Sequence, residues 1–240
     1  MILLCFFFFC FNSLKVPATC SVELSMQFLF NKHDLDRDDC LSRKELDDLF
    51  SVCPIRTPWG QDVHNSIQTD HNGHITYIGY LSQWILTTYF DVKTTIELFA
   101  YLGYTHFSHE SQLTAFNVTR AKEVDLKKKQ TLRNVFLCYV YGRKKCGKTA
   151  FLQGMLGRDL NEQAKLKQDE ITRWSCNLVQ FQNIEKYLIL KEINSSDLEL
   201  HEVYPPDVVI LMYDLTDPNS FQFIADIFLV RLRNRDFVDK

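Results

Sequence analysis

Between Gly142 and Thr149 the chain reads Gly-Arg-Lys-Lys-Cys-Gly-Lys-Thr. This spacing leaves the surrounding chain few folds to choose from. Such a loop turns back on itself so that its backbone N–H groups converge on phosphate oxygens, and it needs a strand before it and a helix N-terminus after it. The flanks supply both. Val135–Tyr141 is an unbroken apolar run, as expected of a parallel strand buried on both faces. Beyond the loop, Phe151, Leu152, Met155 and Leu156 mark the buried side of a helix that stops at Gly157. A chance Gly-Lys-Thr turn lacks this setting. Gly142, Lys145, Cys146, Gly147, Lys148, Thr149 and Ala150 are therefore the candidate nucleotide-binding residues. In this arrangement the lysine, Lys148, reaches the β- and γ-phosphates, and Thr149 holds Mg2+.

Downstream, the pattern predicts strands over 177–181 and 187–193, joined at Gln182-Asn183. Glu192 stands where an acid on the magnesium side is expected, with no glycine three residues on; Thr172 is a candidate sensor of the γ-phosphate. Asp207–Tyr213 reads as another buried strand. Asp217-Pro218 opens a helix with Phe221, Ile224, Ala225, Phe228 and Leu232 expected inward.

The front half is organised by a second loop, Asp34 to Glu45, with acids at loop positions 1, 3, 5 and 12. That is the spacing of an EF-hand calcium loop, in which a hard cation gathers six to eight oxygens. Asp34, Asp36 and Asp38 would turn carboxylates inward. Cys40 would offer its carbonyl, Ser42 an oxygen directly or through water, and Glu45 both carboxylate oxygens. Position 6, where the chain turns with positive φ, is Asp39 instead of glycine, which implies some strain. An acidic solvated turn is the plain alternative. Helices are expected on both sides: over 23–32 with Met26, Phe28, Leu29 and Phe30 apolar, and after the loop through Leu46, Leu49 and Phe50, stopped by Pro54 and Pro58.

Calcium loops usually come in pairs. Placing Gly73 at position 6 of a sister loop puts Ile75 at position 8, opposite Leu41, with Gln68 and Gly79 at the ends. Only Asp70 and Asn72 remain as side-chain ligands, so this loop reads as a metal-free EF-hand. Leu81, Trp84, Ile85 and Thr88 share a face of its exiting helix. Asp91 caps the next one, with Val92, Ile96 and Phe99 inward and Gly103 closing it. The aromatic residues line either a core or a partner groove. The connector that follows ends near a lysine run, 127–129, read as a solvated face.

A net charge of -3 argues against non-specific nucleic-acid binding. The 8 cysteines show no Cys-x-x-Cys or zinc-like spacing, as expected of reduced thiols in a cytosolic setting. No stretch reaches the length of a membrane-spanning helix. The apolar run Ile2–Phe11 has the length of a signal-peptide core, with Ala18-Thr19-Cys20 as a conceivable cleavage site, but no basic residue precedes it. A beginning foreign to the rest of the domain is the other reading.

The segments HDLDRD, PWG, ITYIGYLSQWILTTYFDV, YLGY, VTR, KKKQTLRNVF and GRKKCGKTAFLQGMLGR follow one another in the order found in the mitochondrial Rho GTPases known as Miro, and from about Leu14 onward the chain resembles that family. The resemblance implies α+β and α/β folds: a helical EF-hand pair with one calcium loop and one hidden, then an incomplete P-loop GTPase-like sheet domain. The expected division is 1–20 as a non-family start, 21–105 as EF-hand plus hidden EF-hand, 106–131 as connector and 132–240 as partial GTPase domain. It implies Ca2+, GTP and Mg2+ as cofactors, GTP or GDP and motor-adaptor proteins as partners, and the cytosolic face of the outer mitochondrial membrane as location. A membrane tail anchor like the family's is not found in this sequence, nor are the Asn-Lys-x-Asp and Ser-Ala-Lys motifs that read guanine. The sequence therefore leads one to expect doubtful hydrolysis and an open hydrophobic edge at strand 208–213. Lys144 and Lys145 replace small residues of Ras-like loops, adding charge near the phosphates. The resemblance also implies an entering helix longer than the one read here. A non-enzymatic, calcium-responsive scaffold for a motor-adaptor helix is the alternative function, and a secreted calcium protein led by Ile2–Phe11 a more distant one.

Overall fold

The computed structural model describes residues 2–8, 20–54, 58–60, 63–104, 122–128, 131–166, 173–181, 183–193 and 206–229. The fold is mixed: paired helices with a two-stranded ladder, and a five-stranded sheet with helices on both faces.

In the helical part, α1 (Cys20–His33) enters the first loop and α2 (Arg43–Leu49) leaves it. Helix α1 begins earlier than the apolar pattern suggests. Met26, Leu29 and Phe30 are buried, whereas Phe28 is half exposed; a helical stripe admits i, i+3 and i+4, and Phe28 falls off it. Strands β2 (Cys40–Leu41) and β3 (Ile75–Thr76) pair antiparallel, with Leu41 opposite Ile75 as expected. Helix α3 (Tyr77–Phe90) is capped by Thr76, and α4 (Val92–Tyr101) by Asp91, whose carboxylate accepts from the Thr94 N–H. The buried residues of α4 are Thr95, Leu98 and Phe99, so its face is rotated from the expected one: Val92 and Ile96 are only half buried. Gly103, at φ +80°, ends that helix. The aromatic residues of this part pack on one another. Trp59 stands edge-on to Phe50 at 4.9 Å and to Trp84 at 5.3 Å, and Phe99 stacks on Tyr104 at 5.5 Å. They form a core, not an open groove.

Of the connector, α5 (Lys122–Lys128) is described; Lys127 and Lys128 are exposed on it. Then follow β4 (Val135–Tyr141), α6 (Lys148–Met155), α7 (Leu160–Lys165), β5 (Trp174–Phe181), β6 (Ile184–Glu192), β7 (Val208–Asp214) and α8 (Pro218–Ile227). Helix α7 was not expected, although Asp159 and Glu162 form a capping box that marks its start. The β5–β6 hairpin turns at Asn183, φ +62°, and both strands begin three residues earlier than the apolar pattern implied. Polar positions such as Lys186 continue the ladder because backbone pairing, not side-chain burial, defines it.

The strand order is β1-β7-β4-β6-β5, where β1 is Ile2–Phe8. Strands β6 and β7 flank β4 in parallel, and β5 is antiparallel to β6. The edge expected to be open is covered. Strand β1 runs antiparallel along β7, from Ile2 opposite Asp214 to Phe8 opposite Val208. A continuous apolar run satisfies a sheet edge as readily as it resembles a signal core, and here it completes the ladder.

Alternation along β4 divides the sheet's two cores. Leu137, Tyr139 and Tyr141 face one side with Ile85 of α3 and Ile224 of α8; Cys138 and Val140 face the other with Leu152 of α6. Phe221 is half exposed on α8, where an inward position was expected, and rests edge-on to Tyr213 at 5.3 Å. Helix α3 serves two cores at once: Trp84 belongs to the helical one and the neighbouring Ile85 to the sheet. Phe90 continues the contact, edge-on to Trp174 at 4.7 Å. The seam is polar too. The Cys176 N–H donates to the Ser66 carbonyl at 2.8 Å, and the Arg158 guanidinium donates to the His64 carbonyl and, at 3.2 Å, to the Thr69 hydroxyl.

Candidate functional site

The first loop gathers its carboxylates with no lysine or arginine paired to Asp34, Asp36 or Asp38 among the described residues; the ion pair there is His74 with Asp38 at 3.4 Å. One oxygen each from Asp34, Asp36 and Asp38 lies within 4.8 Å of the others. Asp34 is buried and acts as the loop's internal acceptor, taking the Asp38 N–H at 3.2 Å and the Asp39 N–H at 3.1 Å. Asp38 takes the Cys40 N–H at 2.9 Å. These bonds hold the tight turn in which Arg37, at φ +60°, and Asp39, at φ +61°, are both left-handed. The strain expected at position 6 is thus present, and position 4 shares it.

Glu45 closes the loop. It is 6% exposed; one oxygen accepts the Leu35 N–H at 2.8 Å and the other the Ser42 N–H at 2.8 Å and the Ser42 hydroxyl at 2.7 Å. Burial pushes its carboxyl up, but the Ser42 hydroxyl and the N–H groups of Ser42, Leu35 and Asp36 outweigh this and hold it below its ordinary value. Asp36 moves the other way: loss of hydration, then the like charges of Asp38, Glu45 and Asp34, raise its pKa. Cys40 lies in the β2–β3 ladder, its thiol pushed up to about 11 by burial and then by the charges of Asp38, Asp70, Asp34 and Asp39. Ser42 is the N-cap of α2 and forms a capping box with Glu45. Crowded carboxylates in a negative field fit a divalent cation with oxygen ligands. Asp34, Asp36, Asp38 and Glu45, with Cys40 and Ser42 at the rim, are the residues that could hold one.

The sister loop, 68–79, is shut differently. Gly73 takes φ +85°. Asp70 accepts the His74 N–H at 2.7 Å and the Asn72 N–H at 2.9 Å. At the closing position, a Cβ on Gly79 would lie 2.1 Å from the Gln68 carbonyl oxygen. Backbone stands where the first loop keeps a carboxylate.

In the phosphate loop, Gly142 and Gly147 are dictated by space and dihedral. A Cβ on Gly142 would meet the Cys146 sulfur at 2.4 Å and the Met212 carbonyl oxygen at 2.6 Å, and Gly147 has φ +96°. Cys146 points into the sheet's core, and burial raises its thiol pKa; of the candidate residues it can offer only backbone to a ligand. Lys145 is left-handed at φ +73°. Ala150 lies in the first turn of α6. Lys148 is 4% exposed, and its ammonium donates to the Gly142 carbonyl at 2.8 Å and the Arg143 carbonyl at 3.2 Å, with a Glu192 oxygen 3.6 Å away. The Thr149 hydroxyl donates to the other Glu192 oxygen at 2.7 Å. Glu192, at the end of β6, is thus brought onto the hydroxyl expected to hold Mg2+; Thr172 lies outside the described residues. Beside the loop is a cavity of about 320 Å3 lined by Arg143, Lys144, Lys145, Cys146, Asp214, Asp217 and Ser220. Arg143 pairs with Asp217 across it at 2.8 Å. These groups fit a phosphate–magnesium ligand: buried ammonium, hydroxyl with acid, and backbone N–H groups at a helix start.

Two features escaped the sequence reading. Arg158 ties the end of α6 to loop 64–69 through backbone carbonyls, which leave no sequence signature. His74 sits at position 7 of the sister loop, where only a backbone ligand is expected, yet its ring lies 3.4 Å from Asp38.

Residues 59–130 match the family model described as "EF hand associated". Mitochondrial Rho GTPase 1 of Caenorhabditis elegans is 35% identical over 229 residues, covering 90% of this chain and 36% of the relative. The chain thus spans about a third of the length of the curated relative it matches. Over 90% of its length the chain is thus similar to a mitochondrial Rho GTPase, and its residues 59–130 carry the EF-hand-associated region.

Proposed function

We propose that this chain binds Ca2+ in the loop 34–45 and a magnesium–guanine nucleotide at 142–150, and that it acts in a calcium-tuned GTPase that couples mitochondria to motor-adaptor proteins at the cytosolic face of the outer membrane. The observation that carries the nucleotide reading is the 2.7 Å bond between Thr149 and Glu192, beside a buried Lys148. A hydroxyl and an acid from separate elements meet at the position where this loop type holds Mg2+. Bound GTP would take Lys148 from the Gly142 and Arg143 carbonyls onto its phosphates, while the N–H groups at the start of α6 bind the anion. The nucleotide with Mg2+ supplies the phosphoanhydride bond. The residues here bind and orient it, and Glu192 fills the acid's role without the glycine that usually follows, so turnover is slow.

Asp34, Asp36, Asp38 and Glu45 supply the carboxylates for calcium, with Cys40 contributing its carbonyl and Ser42 an outer oxygen. Location and adaptor partners rest on the likeness to the mitochondrial Rho GTPases. No described helix is long and apolar enough to cross a membrane. The adaptor-scaffold alternative gains nothing from Phe50, Trp59, Tyr80, Trp84, Phe99 and Tyr104, which fill a core.

Titration with a fluorescent GTP analogue tests the reading. Lys148→Ala is expected to weaken binding about 10- to 100-fold, the loss of charge-assisted hydrogen bonds to phosphate. Equal affinity in the variant, or no saturable binding by the unaltered chain, overturns it.

A further inference from the structure

We propose that Asp38, Asp70 and His74 form a second divalent-cation site, bridging the two loops and suited to a borderline transition metal such as Zn2+ rather than to Ca2+. One ligand atom from each lies within 4.8 Å of the other two. They come from segments far apart in sequence, brought side by side by the β2–β3 ladder.

The chemistry separates this cluster from the loop beside it. Three aspartates and a glutamate offer only hard oxygens, which suit calcium. Here an imidazole stands between two carboxylates, a donor set that favours zinc and its neighbours. Three protein ligands, with a fourth position left for water, are the usual complement of an open zinc site; here they would be two carboxylate oxygens and one imidazole nitrogen. Zinc bonds of about 2.0–2.1 Å put tetrahedral ligand atoms roughly 3.4 Å apart, so the atoms must draw together by at most about 1.4 Å, and Asp38 and His74 already stand at 3.4 Å. Asp38 and His74 have the freedom, being 37% and 32% exposed at the side chain.

The framework is already held. Asp70 is fixed by the Asn72 and His74 N–H groups on one oxygen and by the Asn72 amide on the other, at 3.1 Å. Its position is therefore set before any metal arrives. The charge is also unbalanced: among the described residues, the ion pairs of Asp38 and Asp70 are to His74 at 3.4 Å and His71 at 3.9 Å, and to no lysine or arginine. A divalent ion would answer both carboxylates at once.

The site shares Asp38 with the calcium loop and is separable from it by mutation at the ligands they do not share. The test uses the full chain, metal-free and with thiols reduced, titrated with Zn2+ by calorimetry and with Co2+ by visible absorption. The expected result is a single equivalent bound, with the visible bands of low-coordinate Co2+, weakened at least about tenfold in His74→Ala and in Asp70→Asn. Glu45→Gln, which removes the closing ligand of the calcium loop, is expected to leave Zn2+ binding in place, and His74→Ala to leave Ca2+ binding in place. Thermal melting of the metal-free variants checks that each is folded. Absence of Zn2+ binding, binding that survives His74→Ala, binding lost in Glu45→Gln, or thiolate charge-transfer bands with Co2+ would each overturn the proposal. Failure of Ca2+ to bind the unaltered chain, with Zn2+ still bound, would count against the calcium reading alone.

Discussion

The loops 34–45 and 68–79 share a length, a ladder and a cap, and differ at the residue that closes them. In each, position 9 is a hydroxyl residue that caps the following helix: Ser42 accepts the Glu45 N–H at 3.4 Å, and Thr76 accepts the Gly79 N–H at 3.1 Å. Position 8 supplies the buried partners Leu41 and Ile75. At position 12 the first loop places a buried carboxylate, and the second brings its own backbone to within 2.1 Å of where a Cβ would stand. The metal-free loop is therefore more than a calcium loop stripped of acids. Its closing space is filled by Gln68, so its shape needs no ion, whereas the first loop keeps a cluster of like charges that an ion would relieve.

The largest expected effect strikes the second loop. Gly79→Ala must push the Gln68 carbonyl aside, and backbone yields poorly. A loss of about 3 kcal/mol is expected from urea denaturation, at the upper end of overpacking costs. A change below about 0.5 kcal/mol would mean that the loop has slack, and that position 12 is glycine for some other reason. Gly79→Glu should likewise fail to create a second Ca2+ site, as calorimetry would show.

The next effect belongs to the first loop. Glu45→Gln is expected to weaken Ca2+ binding about 10- to 100-fold, since one charged ligand is lost. Its metal-free stability should fall by about 1–2 kcal/mol: the glutamine carbonyl can still complete the capping box, but its NH2 then faces the Leu35 N–H, which loses its acceptor. The same variant has a pH signature. The Glu45 carboxyl is held below its ordinary value of 4.5 when folded, so it adds stability above that pH and loses it as pH falls through the lower folded value. Asp36, raised when folded, works against this by relaxing as it protonates. Denaturation of the metal-free protein from pH 6 to pH 3 should therefore lose less stability in Glu45→Gln than in the unaltered chain. An identical acid limb would show that Glu45 is not the group responsible.

How much of this was readable beforehand follows from what each feature depends on. The alternating aspartates and the Gly-Lys-Thr loop announce themselves because ligand geometry fixes residue spacing. The opposition of Leu41 and Ile75 followed from counting loop positions. Gly79 read only as a missing acid; that it is needed for space depends on Gln68, which approaches it through backbone. Phe28 was placed inward by hydrophobicity although it falls off the Met26–Leu29–Phe30 stripe, and Phe221 was placed inward by helical spacing; both are half exposed. Strand β1 was ambiguous for a physical reason: an apolar run carries no mark of the edge it will complete. The α3 seam was invisible because Trp84 and Ile85, neighbours in sequence, look like one stripe and serve two cores.

Position 6 gives the smallest effect and the finest test of the comparison. Both loops turn left-handed there, Asp39 at φ +61° and Gly73 at φ +85°. For an L-residue that region costs about 1 kcal/mol or somewhat more, and aspartate bears it better than most. Asp39→Gly removes the cost but gives the unfolded chain more freedom, worth about 0.5–1 kcal/mol against the fold. The Asp39 N–H that donates to Asp34 is kept, and a like charge leaves the loop. The net change should be a stabilisation of no more than about 0.5 kcal/mol. Gly73→Ala meets nothing within 4 Å, so its only cost is dihedral, about 1 kcal/mol, and its sign is opposite. Denaturation of the two metal-free variants under one set of conditions would show that order if the turns are alike. Destabilisation by Asp39→Gly beyond about 1 kcal/mol would mean that the Asp39 side chain supports the first loop, and the two loops would then differ at their turn as well as at their closure.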